Sequence, residues 1–306
     1  MSARAVIAVV AAAVILGCGR ASWPDPPAVD DAEYRRKYEE WRSSQQQTAE
    51  YAMRIVGIWP LAEGDTAFGS DASLPVVLPS RAAPPQAGVL RNAANTITVI
   101  PAAGAPLMAD GSLLVGPTEL QGPLELGSIS LEVVDMGEPS SGRRFVMAWD
   151  AQHPEAQDLP PVDVYPVDRR WRVAARFEAF DTSRPVRVPD VRGGFMDFAA
   201  PGELVFQLDG EQMRLTAFGE SGSDEFFVMF KDATNRTTTY GGYRILLPRA
   251  ARDGEWTVLD FNLAFNPPCA YSSFTTCPLP PPENRLDVAV TAGEKRYPVG
   301  HGFVVP

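Results

Sequence analysis

The side chains best suited to chemistry gather in the last third of the chain. Arg244, Asp260, Asn262, Asn266, Glu283, Asn284 and Glu294 are the candidate binding residues, set around a proline-rich segment that also holds Cys269 and Cys277. Asp260 and Glu283 are the candidate catalytic pair: two carboxylates could serve as acid and base of a hydrolase while Arg244 holds an anion. Strand alternation would put Asp260 and Asn262 on one face and Phe261 on the other. Arg244, in the strand before, is placed to face them across a hairpin. Glu283, Asn284 and Glu294 return to the same region after the segment. The competing role for these residues is structural, because proline has no N–H and a proline-rich loop needs side chains to satisfy its backbone.

Cys269 and Cys277 are separated by seven residues. Outside the cytoplasm so close a pair is most simply a disulfide, and closing a loop this short stabilises by about 2.5 kcal/mol in the chain-entropy model. Reduced thiols, or zinc held with Asp260 or Glu283, are the alternatives. The spacing is not that of a zinc knuckle or ribbon, and no histidine lies nearby, so no metal is assigned. The chain has two histidines, His153 and His301. His153 sits in a proline-rich stretch and reads as an exposed loop imidazole. Two histidines leave little material for Ser-His or Cys-His catalysis. No phosphate loop, nucleophile elbow or zinc-peptidase helix is present, and no cofactor is implied.

The elements that position these residues begin with an export signal. Arg4 precedes an unbroken apolar run over residues 6–16, and Gly17-Cys18 follows directly. This pattern predicts a lipoprotein signal over 1–18 with Cys18 as the lipidated residue. The run is about half the ~20 residues a spanning helix needs. Gly19 stands where an aspartate would favour inner-membrane retention, so the expected location is the cell envelope, on the periplasmic face of an outer membrane where the cell has one. The expected partners are the membrane through the lipid and an envelope protein, peptide or glycan. A net charge of −11 and a pI near 4.8 exclude nucleic acid, whose binding rests on Lys and Arg neutralising phosphates.

Residues 19–29 read as a stiff proline-rich tether. Asp30 with Glu33 three residues later predicts a helix over 30–50, with Tyr34, Tyr38 and Trp41 on one face, capping the domain that follows. From there short β-branched runs separated by Gly, Pro, Asn and Asp predict an all-β protein: two β-sandwich or barrel domains preceded by one short N-terminal helix. The first domain spans 51–150, a junction 151–170, and the second 171–306. Its expected strands include 171–180, 186–188, 240–247 and 286–291. Asp209-Gly210 between two apolar runs predicts a type I′ hairpin.

Two resemblances follow. Phe68-Gly69-Ser70, Val76-Val77-Leu78-Pro79, Gly88-Val89-Leu90, Asp110-Gly111 and Leu126-Gly127 resemble an FHA-like sandwich. Such domains recognise phosphothreonine in their typical form, but here Ser70 stands where an arginine is expected and no Ser-x-x-His element occurs. Asp232-Ala233-Thr234, Thr239-Tyr240-Gly241-Gly242-Tyr243-Arg244, Asp260-Phe261-Asn262, Asn266-Pro267-Pro268-Cys269, Cys277-Pro278-Leu279-Pro280-Pro281 and Glu283-Asn284-Arg285-Leu286 resemble the DUF1684 family of uncharacterised proteins. That resemblance continues upstream to Tyr165-Pro166-Val167, Trp149-Asp150 and Trp59-Pro60-Leu61. It implies a shared fold and no known activity. Function therefore stays between two classes, an envelope lipoprotein that binds a ligand or braces a partner, and a hydrolase.

Overall fold

A computed structural model describes residues 23–94, 96–135, 144–191, 193–220 and 222–298. The signal over 1–18, Cys18, the start of the tether and His301 lie outside the described residues. The described chain is mostly β with one α-helix.

Helix α1 spans Asp31–Met53. Asp30 caps it by accepting the N–H groups of Ala32 and Glu33 at 3.0 and 2.9 Å, satisfying donors that the first turn leaves open. Glu33 bonds Lys37 one turn on, rather than reaching back to the cap. The helix does not cap the domain that follows it in sequence. Ala49, Ala52 and Met53 pack with Tyr243, Cys269, Tyr271 and Cys277 of the C-terminal half. Small residues on that face allow close approach to the Pro268–Ala270 turn. The Gln46 side chain accepts the Val162 N–H at 2.9 Å. Its last turn meets the N-terminal sandwich, where the Tyr51 ring packs tilted against Trp149 at 5.5 Å.

That sandwich holds β1 (Ile55–Pro60), β2 (Gly64–Gly69), β3 (Val76–Val77), β4 (Gly88–Ala93), β5 (Thr96–Pro101), β6 (Leu107–Ala109), β7 (Ser112–Leu113), β8 (Thr118–Glu119), β9 (Leu124–Leu126), β10 (Ile129–Asp135) and β11 (Arg144–Asp150). One sheet has the order β1-β11-β10-β9-β6-β7 and the other β3-β2-β4-β5-β8. Alternate residues such as Phe68, Leu90, Val99, Leu131 and Val146 fill its own core. Its two ends lie together: β1 pairs with β11, and the Asp150 N–H donates to the Arg54 carbonyl at 2.8 Å. The sandwich is thus inserted between α1 and the C-terminal half to which α1 belongs.

The C-terminal half contains β12 (Arg172–Pro189), β13 (Phe195–Leu208), β14 (Glu211–Ala217), β15 (Val228–Phe230), β16 (Arg244–Leu246) and β17 (Trp256–Asp260). A four-stranded sheet runs β14-β13-β12-β17, and β15 pairs with β16. The expected strands at 171–180 and 186–188 are one strand, β12, broken only by an irregularity between Ala179 and Arg184. Asp209 and Gly210 both take positive φ, 51° and 82°, as a type I′ turn requires. Phe261 anchors the core, 5.4 Å from the Phe230 ring and 5.8 Å from Phe206. The expected strand at 286–291 does not form: the Val290 carbonyl, with that of Ala292 just beyond, accepts from the Arg244 side chain instead of joining a ladder.

Candidate functional site

Arg244 is fully buried, and its place is inside the protein. Its guanidinium bonds Asp232 at 2.7 Å, the Val290 carbonyl at 3.0 Å and the Ala292 carbonyl. Asp232 in turn accepts from the Thr234 N–H and hydroxyl at 2.8 and 2.6 Å. Beside this pair lies Glu294, also fully buried. It accepts from the Asn266 N–H and carboxamide at 2.8 and 2.7 Å and from the Tyr271 hydroxyl. Burial pushes the Glu294 carboxyl up to about 7, against the pull of its Asn266 and Tyr271 donors and of Arg244. Gly293 takes a φ of +72°, and a Cβ there would stand 2.5 Å from the Ala264 carbonyl, so glycine is required for Glu294 to enter. The carboxamide of Asn266 also donates to the Lys295 carbonyl at 2.8 Å.

Asp260 is elsewhere. It ends β17 opposite Arg172 of β12, and its partners are the Tyr34 hydroxyl at 2.9 Å and Arg172 Nε at 3.7 Å, both on Oδ2. Oδ1 accepts from the Asn262 N–H at 3.2 Å and carboxamide at 3.0 Å. Asp260 and Asn262 meet through this turn and not through strand alternation, because the strand ends at Asp260 and Phe261–Leu263 is a short 3₁₀ turn. Burial raises the Asp260 carboxyl above its ordinary value, with Asn262 and Tyr34 opposing. It also raises the Tyr34 hydroxyl, and the Asp260 charge adds to that shift. Arg244 therefore does not face Asp260; its charge is spent on Asp232.

Glu283 is exposed, next to Asn284. Asn284 is buried, and its carboxamide bonds Thr216 of β14 in both directions and the Met229 carbonyl. Glu283 therefore lies near β14 while Asp260 lies on β17, at opposite edges of the four-stranded sheet. The two carboxylates expected as an acid and base are not brought together. Cys269 and Cys277 form a disulfide with Cα atoms 6.2 Å apart. His153 is half-buried at the entry to the Pro154–Ala156 turn rather than fully exposed.

What opens to solvent is the seam where α1 and the tether cross the C-terminal half. A cavity of about 200 Å³ is lined by residues including Tyr34, Tyr38, Val167, Arg169, Arg172 and Asn262. A wider groove of about 560 Å³ shares Tyr34, Tyr38 and Arg172 with it and reaches Asp260, Leu247 and Trp256.

With this geometry in view, comparison with known proteins places the C-terminal half. Residues 157–295 match the family described as "Protein of unknown function (DUF1684)". The chain belongs to the DUF1684 family. The match leaves out Trp59-Pro60-Leu61 and Trp149-Asp150, so the resemblance is narrower than expected. The solution structure of the uncharacterized protein from gene locus rrnAC0354 of Haloarcula marismortui is 34% identical, covering 47% of this chain and 80% of that one, with a TM-score of 0.40. No curated protein matches.

The stretches that carry the DUF1684 resemblance build mainly the sealed network. Asp232, Thr234, Arg244 and Asn266 are buried together, and Tyr240 donates to the Cys269 carbonyl at 3.2 Å. Within this DUF1684 domain the residues missed from sequence are Asp232, Tyr271 and Arg172 as partners, and Tyr34 outside it. Tyr34 had a visible signal in the aromatic stripe of α1. That it would meet Asp260, 226 residues away, had none.

Proposed function

We propose that the protein is an envelope lipoprotein, anchored through Cys18, that binds a small anionic ligand in the seam beside α1 and does not convert it. The carrying observation is the state of Asp260. Oδ1 accepts twice from Asn262 and Oδ2 accepts from Tyr34 with Arg172 paired at 3.7 Å, so three of its roughly four lone-pair positions are already taken by the protein. Such a carboxylate orients Tyr34 and Arg172 rather than acting as a base. The second carboxylate of a hydrolase is on the far edge of the sheet. The cavity is smaller than the ~300–1,000 Å³ of drug-sized sites, which suits a ligand of one ring or one amino acid. Arg169, which also pairs with Asp31, and Arg172, which also pairs with Asp260, present guanidinium donors to a carboxylate or phosphate, and the Tyr34 and Tyr38 rings supply an apolar wall.

Saturation-transfer NMR with uronic acids, sugar phosphates and acidic amino acids tests this reading. Arg172→Gln should weaken any hit about tenfold or more. Asp260→Asn should weaken binding and lower the melting temperature together, since it loosens Tyr34 and Arg172. Turnover of a probe that Asp260→Asn abolishes at unchanged stability would establish the hydrolase instead. The anchor has its own test: Cys18→Ala should move the protein from the membrane to the soluble periplasmic fraction.

A further inference from the structure

Two buried polar atoms of the sealed network have no protein partner among the described residues: Nε of Arg244 and Oδ1 of Asn266. Both residues are fully buried. The first atom is a donor and the second an acceptor, so each lacks what the other offers. The carboxamide of Asn266 cannot turn round to change this. Its N–H₂ group serves the Glu294 carboxylate and the Lys295 carbonyl at 2.7 and 2.8 Å, and the reversed orientation would set Oδ1 against both acceptors. The backbone places the two side chains together. Ile245 and Phe265 exchange both their N–H···O bonds, at 2.8 and 3.1 Å, so Arg244 and Asn266 form the next pair along, one that shares no backbone hydrogen bond. Side chains of such a pair lie on the same face, with Cα atoms about 4.5 Å apart. The Phe230 ring flanks the guanidinium from β15, 5.2 Å away, and Asn266 comes from the opposite edge of β16.

Glu294 completes the surroundings. Its Oε1 takes two donors, Asn266 and Tyr271, whereas Oε2 takes the Asn266 N–H and keeps a lone pair in hand among the described residues. The charge of Arg244 favours the Glu294 carboxylate, yet no ion pair joins the two among the described residues. Opposite charges that feel each other without touching, with a spare donor on one side and spare acceptor positions on the other, are the pattern of a water-mediated contact. We propose that one buried water binds here, accepting from Arg244 Nε and donating to Asn266 Oδ1 and Glu294 Oε2. Three bonds are typical of an interior water. The water makes one network of the Asp232–Arg244 pair and the Glu294 cluster, and through Tyr271 it ties the turns that follow Asp232 to the disulfide-closed loop. It does not depend on any ligand in the seam.

The test is a crystal structure of the full chain at a resolution that orders water, with water-to-protein NOE and ROE spectra of the same chain in solution. The expected results are a water oxygen within about 3.2 Å of both Arg244 Nε and Asn266 Oδ1, and a cross-peak from Arg244 Hε to a water bound for longer than a nanosecond. The Hε shift should also move with pH as Glu294 titrates, and Glu294→Gln should abolish that movement while the cross-peak persists. A direct bond from Nε to Asn266 or Glu294 overturns the proposal. So does an Nε–H lodged on the Phe230 ring with no water beside it, or an Hε without a water cross-peak. Should Glu294→Gln fail to fold, the crystal and the cross-peak of the unaltered chain decide.

Discussion

Glu294 shows how a buried acid sets the behaviour of its surroundings. Its carboxyl sits at about 7 when folded, against an ordinary value of 4.5. A folded value above the unfolded one means that the proton stabilises the native state: the contribution is complete below about 4.5 and is lost as pH rises through about 7. The size is on the order of 3 kcal/mol. Asp260, raised by burial in the same direction, adds to the same trend. Urea unfolding should accordingly give a lower midpoint at pH 8 than at pH 5, and Glu294→Gln should flatten that difference. The variant should be less stable than wild type at pH 5, by about 1–3 kcal/mol, because a carboxamide N–H₂ would face the donors of Asn266 and Tyr271. A steeper slope in the variant would remove Glu294 as its source. Residue roles were the least legible part of the sequence. Types and neighbourhood marked out Arg244, Asp260, Asn266 and Glu294, but which charge meets which is decided by long-range packing, so Arg244 was paired with the wrong aspartate.

At the scale of elements, local signals worked where local physics decides. The Asp30 cap and the Asp209-Gly210 turn are both where side-chain and backbone chemistry put them. The helix runs three residues past its expected end, to Met53, and the break expected near residue 180 is only a bulge, because pairing with β13 overrides weak local cues. The segment at 286–291 has strand-like composition, but the carbonyls of Val290 and of Ala292 just beyond it go to Arg244. The disulfide holds the turn on which α1 rests. Replacing Cys269 and Cys277 by Ser should therefore cost about 2.5 kcal/mol. The loss should be uneven: amide exchange should rise in α1 and around Pro268–Ala270, while β10 and β11 keep their protection. Uniform loss across both halves would mean that the loop is not a local brace.

The whole molecule is a β-rich body with a β-sandwich set into it. The all-β class with its single helix was legible from strand spacing, turn residues and the Asp30 cap. The assignment of α1 to the C-terminal half was not, because nothing near residues 30–50 records a partner that lies beyond residue 150. Since Arg54 and Asp150 are hydrogen-bonded neighbours, replacing 55–149 by a two-glycine bridge should leave a folded protein that keeps the contact between Tyr34 and Asp260. Circular dichroism and a cooperative melt would check this. Loss of cooperative unfolding would show that the sandwich is needed for the body to hold together.

The adjacency of Arg54 and Asp150 also bears on the order in which the chain assembles during synthesis. Helix α1 leaves the ribosome long before the residues it packs on. The bond between Gln46 and the Val162 N–H spans 116 residues of chain, but once the sandwich has closed and brought its ends together the path is only about 20. Shortening the loop in that way lowers the entropic cost of docking by about 1.5 kcal/mol. The sandwich thus acts as a clasp that converts a distant encounter into a near one. Weakening its core should slow the arrival of α1 more than it harms the finished C-terminal half.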